Sequence, residues 1–140
     1  MITCTRRIQF CSGHRVHGHE GKCRHLHGHN YVVMLTASAD ALDDLGRVID
    51  FSVLKARLGG WIDQHWDHGC VIWDGDTEAQ AAVLACQPAK LFLLPSNPTA
   101  ENMADYLLRV VGPKVLADTG IGLTAVRLWE TENCYADAKL

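Results

Sequence analysis

Residues 14–29 read His-Arg-Val-His-Gly-His-Glu-Gly-Lys-Cys-Arg-His-Leu-His-Gly-His, and they hold six of the chain's eight histidines together with Cys23. Neutral imidazole is a preferred ligand of borderline metals such as zinc. Packing gives no reason for histidines at His14, His17, His19, His25, His27 and His29, so the stretch predicts a metal centre. Cys23 lies between Lys22 and Arg24 and four positions before His27. Cationic neighbours favour the thiolate, the form that binds metal or takes a proton. Cys23 is therefore either a reactive base or a fourth ligand that closes the site.

The elements that carry these residues narrow the ligand set. Ile2, Cys4, Ile8 and Phe10 alternate with Thr3, Thr5, Arg7 and Gln9, a period of two that predicts a strand ending at His14. Residues 15–26 are polar and glycine-bearing and read as a loop. Residues 27–38 are rich in β-formers and read as a second strand, antiparallel to the first. His27 and His29 then project from one face, and His14 lies across the hairpin. Three imidazoles on one face of a ribbon can hold a tetrahedral ion and leave its fourth position open, as catalytic zinc sites do. Strand residues hold ligands better than loop residues, so His17, His19 and His25 are assigned to the surroundings. A His-x-His strand also occurs in cupins. The glutamate a cupin needs four or five positions later is here Val33 or Met34, and that reading fails.

Further along, Phe51, Leu54, Leu58, Trp61, Ile62 and His65 recur at helical spacing, with Asp50 or Ser52 as cap and Gly69 as stop. Glu78–Cys86 is alanine-rich and helical in character, and Lys90–Leu94 is a short apolar strand. A helix runs from Thr99 to Val111 and stops at Gly112-Pro113; Gly122–Thr131 is the last strand. The order predicts an α+β fold in one domain over residues 1–140: an antiparallel four-stranded sheet with two main helices on one face. Asp67-His68 is a carboxylate–imidazole pair suited to proton transfer, or simply a helix end. Glu101 suits a helix N-terminus. Glu130 shares its parity with Val126 and Leu128, turns inward, and needs N–H donors there.

A net charge of -3 argues against nucleic acid or an anionic membrane as partner. No apolar run approaches a bilayer span, and no apolar leader follows Met1. Six cysteines scattered through apolar stretches, with no secretory signal visible, predict reduced thiols in a cytoplasm, and the lack of a Cys-x-x-Cys pair argues against a structural zinc finger.

Taken together, Phe10-Cys-Ser-Gly-His14, Cys23-Arg-His-Leu-His-Gly-His-Asn-Tyr, Gly46-Arg-Val-Ile-Asp-Phe, Asp67-His68, Asn97-Pro-Thr-Ala-Glu-Asn102 and Val126-Arg-Leu-Trp-Glu130-Thr resemble the 6-pyruvoyltetrahydropterin synthase / 6-carboxytetrahydropterin synthase family. The resemblance implies a tunnelling fold, in which subunits join their sheets into a barrel as a trimer or hexamer with sites between subunits. It implies a zinc lyase acting on 7,8-dihydroneopterin triphosphate. His14, His27 and His29 match the zinc ligands, Cys23 the general base, and Asp67 with His68 its relay. Glu130 matches the anchor of the pterin N–H groups, with Thr99 and Glu101 in the supporting pocket. The three-residue spacer between Cys23 and His27 resembles the bacterial branch. That branch releases triphosphate and acetaldehyde and leaves 6-carboxy-5,6,7,8-tetrahydropterin, towards 7-deazaguanine nucleosides such as queuosine. The pyruvoyl branch stops at triphosphate elimination. Arg15, Lys22 and Arg24 could steer the triphosphate. Two stretches depart from the family pattern: Gly69-Cys70-Val71-Ile72 and the loop 15–21.

Overall fold

A computed structural model describes all 140 residues. The hairpin that carries the histidines is its centre. Strands β1 (Ile2–His14) and β2 (His27–Ala39) pair antiparallel from Ile2 opposite Ala39 to His14 opposite His27. Phe10 and Tyr31 face each other across the pair and stack with ring centroids 5.0 Å apart. Alternation then turns Phe10, Tyr31, Val33 and Leu35 into the core.

The sheet is larger and of a different type than the sequence predicts. Six strands run in the order β4-β3-β1-β2-β5-β6, where β3 is Gly69–Trp73, β4 Leu91–Leu94, β5 Gly122–Thr131 and β6 Cys134–Lys139. β1 pairs parallel with β3, and β3 parallel with β4; the remaining pairs are antiparallel. The expected four-stranded antiparallel sheet is thus corrected to a mixed six-stranded one. β3 escapes the pattern because Val71 and Ile72 are both fully buried, so it does not alternate. β6 escapes because, Tyr135 apart, its residues are small or charged. It is held instead across the ladder, where Arg127 donates to both oxygens of its partner Asp137 at 2.6 and 2.8 Å and stacks 3.9 Å over Tyr135.

The helices cover one face of the sheet. α1 (Phe51–Leu54) and α2 (Gly60–His65) are joined by a π-helical stretch, Lys55–Gly59. The Asp50 carboxylate caps the start by accepting the Ser52 N–H at 2.8 Å. Leu54, Leu58, Ile62 and Trp66, four residues apart, form one wholly buried stripe. Gly59 lets that stripe settle on β1, since a β-carbon there would lie 3.2 Å from the Ile8 side chain. α3 (Thr77–Leu84) flanks β3 and β4. α4 (Ala100–Tyr106) and α5 (Gly112–Val115) are joined by a second π-helical stretch, Leu107–Val111. Gly112-Pro113 therefore does not stop the helix. The widened turn before it shifts the hydrogen-bond pattern, and Pro113 falls at the start of the next α-turn, where a missing N–H costs least. No helix is long and apolar enough to cross a membrane.

Candidate metal centre and active site

His14, His27, His29 and Glu130 converge at one end of the sheet, on the face that the core occupies. One ligating atom from each lies within 4.8 Å of every other. The placement follows from the hairpin. His14 and His27 are a directly opposed pair, and His29 is two residues on, on the same face. Gly13 and Gly28 face each other between them, and a β-carbon on Gly28 would press within 3.2 Å of the Ser12 carbonyl oxygen.

The tautomer of two of these rings is set by what lies behind them. The Nδ1 of His14 sits 2.7 Å from the Pro98 carbonyl oxygen, and the Nδ1 of His27 sits 2.6 Å from that of His25. A carbonyl only accepts, so each Nδ1 carries a proton, and the neutral tautomer of each ring turns a bare Nε2 inward. Those two Nε2 atoms are 3.1 Å apart and neither can donate to the other. Glu130 Oε1 lies 2.9 Å from His29 Nε2 and 3.5 Å from His14 Nε2. The closer contact is not aligned as a hydrogen bond, and His29 Nε2 stays buried without a partner. Lone pairs facing each other at this distance call for a cation. Metal–nitrogen bonds of about 2.0–2.1 Å in a tetrahedron set ligand atoms about 3.3 Å apart. Three of the spacings here, 2.9, 3.1 and 3.5 Å, bracket that value. The residues therefore fit a metal ion. Burial pushes the His29 pKa down, favouring the neutral ligand form.

The fourth residue of the cluster is Glu130 rather than Cys23. Glu130 shares the inward parity of Val126 and Leu128, and a register slip between Trp129 and Thr131 makes it a bulge residue. Cys23 sits on a one-turn 3-10 helix, Lys22–Arg24, half-buried, and the Val16 N–H binds its carbonyl at 2.8 Å. Its charge and that of Glu130 both bear on the Tyr31 hydroxyl, whose pKa is raised first of all by burial.

Asp67 and His68 form a separate preassembled pair. The Asp67 carboxylate accepts the Cys11 N–H at 3.0 Å and lies 2.8 Å from His68 Nδ1. Burial pushes Asp67 up, but the Cys11 N–H and His68 outweigh it and leave the carboxyl below its usual range. His68, not Gly69, takes the left-handed turn that ends the helix, with φ of 58°. The Lys90 ammonium holds this corner by donating to the carbonyls of Asp63 and Asp67. The His68 ring is 79% exposed and makes no hydrogen bond to Cys23. It borders a shallow cleft of about 360 Å³ that it shares with Gly28 and His29.

Thr99 and Glu101 are not brought to the cluster's ligating atoms. Thr99 caps α4, its hydroxyl accepting the Asn102 N–H at 3.1 Å, and Glu101 is exposed in the first turn. Arg15 is not free to meet an anion: it donates to both oxygens of Asp76, which is 1% exposed, and to Glu78. Two positioning residues escape sequence reasoning. Asp76 pins the start of the histidine loop and also caps α3 through the Ala79 N–H. Asn97 accepts the His17 N–H at 2.9 Å and donates to the His17 carbonyl at 3.0 Å, while the Pro98 carbonyl beside it orients His14. An Asn-Pro ahead of a helix start was the one available signal.

The 6-pyruvoyl tetrahydropterin synthase family model matches residues 3–139. A Rickettsia bellii protein named 6-carboxy-5,6,7,8-tetrahydropterin synthase is 41% identical over 137 residues, covering 98% of this chain and 99% of its own. A Haemophilus influenzae protein of the same name is 30% identical over 143 residues, with 98% of both chains covered. Among solved structures, an uncharacterised Wolinella succinogenes protein superposes with TM-score 0.80 at 22% identity, covering 99% of this chain and 97% of that one. The Caenorhabditis elegans 6-pyruvoyl tetrahydropterin synthase does so with TM-score 0.73 at 23% identity, covering 99% and 95%. With the family model matched end to end and these relatives aligned along their full length, the chain belongs to the 6-pyruvoyl tetrahydropterin synthase family.

Proposed function

We propose that this protein is a 6-carboxy-5,6,7,8-tetrahydropterin synthase, a zinc-dependent lyase. It takes 7,8-dihydroneopterin triphosphate and one water to 6-carboxy-5,6,7,8-tetrahydropterin, acetaldehyde and triphosphate. The observation that carries the reaction is the full-length match to relatives of that name. The zinc reading is supported by three imidazoles that converge with a carboxylate, two of them with Nδ1 tied back to a carbonyl so that Nε2 turns inward.

His14, His27 and His29 would hold the ion, which when bound supplies Lewis-acid stabilisation of charge on the substrate's side-chain oxygens. The chain's own groups move the protons. Cys23, as thiolate, takes a carbon-bound proton of the side chain, and His68, oriented by Asp67, removes or returns one. Loss of triphosphate and cleavage of the carbon–carbon bond then release the two small products. Glu130 accepts the pterin's amino and ring N–H groups, with Thr99 and Glu101 in the supporting pocket. The exposed His68 ring suits a site completed between subunits of a trimer or hexamer, in which it would meet the neighbour's Cys23. A cytoplasmic place on the way to 7-deazaguanine nucleosides fits this product.

Incubating the zinc-loaded protein with the substrate and assaying both small products tests the reading. Triphosphate and acetaldehyde in equal amounts are expected. Triphosphate without acetaldehyde would make it a 6-pyruvoyl tetrahydropterin synthase instead.

A further inference from the structure

One carboxylate in this structure faces two demands. Glu130 Oε1 lies within 2.9 Å of His29 Nε2 and 3.5 Å of His14 Nε2, at the spacing of a fourth ligand. No thiolate competes for that place, because Cys23 is not among the converging atoms. Glu130 also lines a cleft of about 700 Å³ on the open side of the sheet, with Trp129, Thr131 and Asn30 among its walls. Its position at the bulge frees it from a fixed place in the β5–β6 ladder. A carboxylate has two oxygens, and a fork of two parallel N–H donors, such as the amino and ring N–H of a pterin, uses both.

We propose that Glu130 is an exchangeable ligand: it closes the metal's fourth position while the cleft is empty, and a pterin entering the cleft draws it away. This rests on the pterin reading above and adds a consequence to it. Metal and pterin then bind with negative coupling. Each weakens the other by the same factor, because both use one carboxylate and linkage is reciprocal. A carboxylate that bridged the two would give no coupling or a positive one. The vacated position is the one the substrate's side-chain oxygens need, so the same residue guards the site when empty and opens it on recognition.

The test is a competition titration of zinc against a chromophoric chelator, with and without saturating 6-unsubstituted pterin. This probe has the N–H fork but no side chain to reach the metal. Without pterin, Glu130→Ala should bind zinc at least 10-fold more weakly than the native protein, with Glu130→Gln as the size-matched variant and thermal melting as the check on folding. Pterin should weaken native zinc binding by a similar factor and leave Glu130→Ala unaffected. Undiminished zinc affinity in Glu130→Ala would overturn the proposal. So would pterin that binds the native protein and leaves its zinc affinity unchanged or tighter, with the substrate reading left standing. Failure of the metal-free protein to bind pterin at all would sink both.

Discussion

Replacing Asn97 by alanine deletes two hydrogen bonds that hold the histidine loop to the turn before α4, the ones to and from the His17 backbone at 2.9 and 3.0 Å. Each is worth about 1 kcal/mol net, so the loop loses about 2 kcal/mol of restraint. The loss passes to Cys23 through Val16, which is next to His17 and binds the Cys23 carbonyl. If Cys23 must be held for proton transfer, 2 kcal/mol corresponds to about a 30-fold fall in kcat/KM. Zinc affinity should fall less, because the Pro98 carbonyl that orients His14 belongs to the backbone and survives. Two measurements check this: steady-state kinetics, and the rate of Cys23 alkylation followed by peptide mass spectrometry, which should rise. The control is His17→Ala. The clamp touches only the His17 backbone and its ring is exposed, so that variant should stay within about 0.5 kcal/mol of the native protein. Native kinetics and native alkylation in Asn97→Ala, or equal damage from His17→Ala, would refute the clamp.

Four further outcomes are expected. Asp76→Ala should cost about 3 kcal/mol in urea unfolding, because it strands Arg15 beside a buried site and uncaps α3. Arg15 holds the Asp76 carboxyl below its usual range, so the pair's contribution is complete above the unfolded carboxyl pKa of about 4. It is lost as pH falls through the lower folded value, and the gap between native protein and Asp76→Asn should narrow on acidification; a gap that widens contradicts the pairing. His68→Gly should be as stable as the native protein or up to about 1 kcal/mol more so, because glycine accepts φ of 58° without strain, yet turnover should drop about 100-fold or more. Stability falling along with activity would make His68 a structural residue. Cys23→Ala should keep zinc affinity and lose turnover by at least about 100-fold; weaker zinc binding would return Cys23 to the ligand set.

The convergence of the three histidines was legible because a strand repeats every two residues. His27, His29 and the opposing His14 needed only the hairpin, and the hairpin was written in the alternation of β1 and the β-formers of β2. The inward turn of Glu130 was legible from its parity with Val126 and Leu128. Its distance from His29 was not, because a bulge changes where a side chain ends up without marking the sequence. β3 was hidden by burial on both faces, and β6 by alanines and aspartate whose pairing depends on Arg127 in another strand. Arg15 looked like a free cation because its partner Asp76 is 61 residues away. Asn97 acts through backbone atoms of His17, which no side-chain pattern announces.

If the histidine cluster is the metal centre of acetaldehyde-releasing chemistry on a pterin, that chemistry depends on the ion it holds. The decisive experiment titrates chelator-stripped protein with zinc in the presence of 7,8-dihydroneopterin triphosphate. Acetaldehyde formation should be absent without metal, rise with zinc bound and saturate at about one ion per chain, the capacity of a single four-residue cluster. Turnover that persists in the stripped protein, or zinc-saturated protein that releases triphosphate and no acetaldehyde, would contradict it.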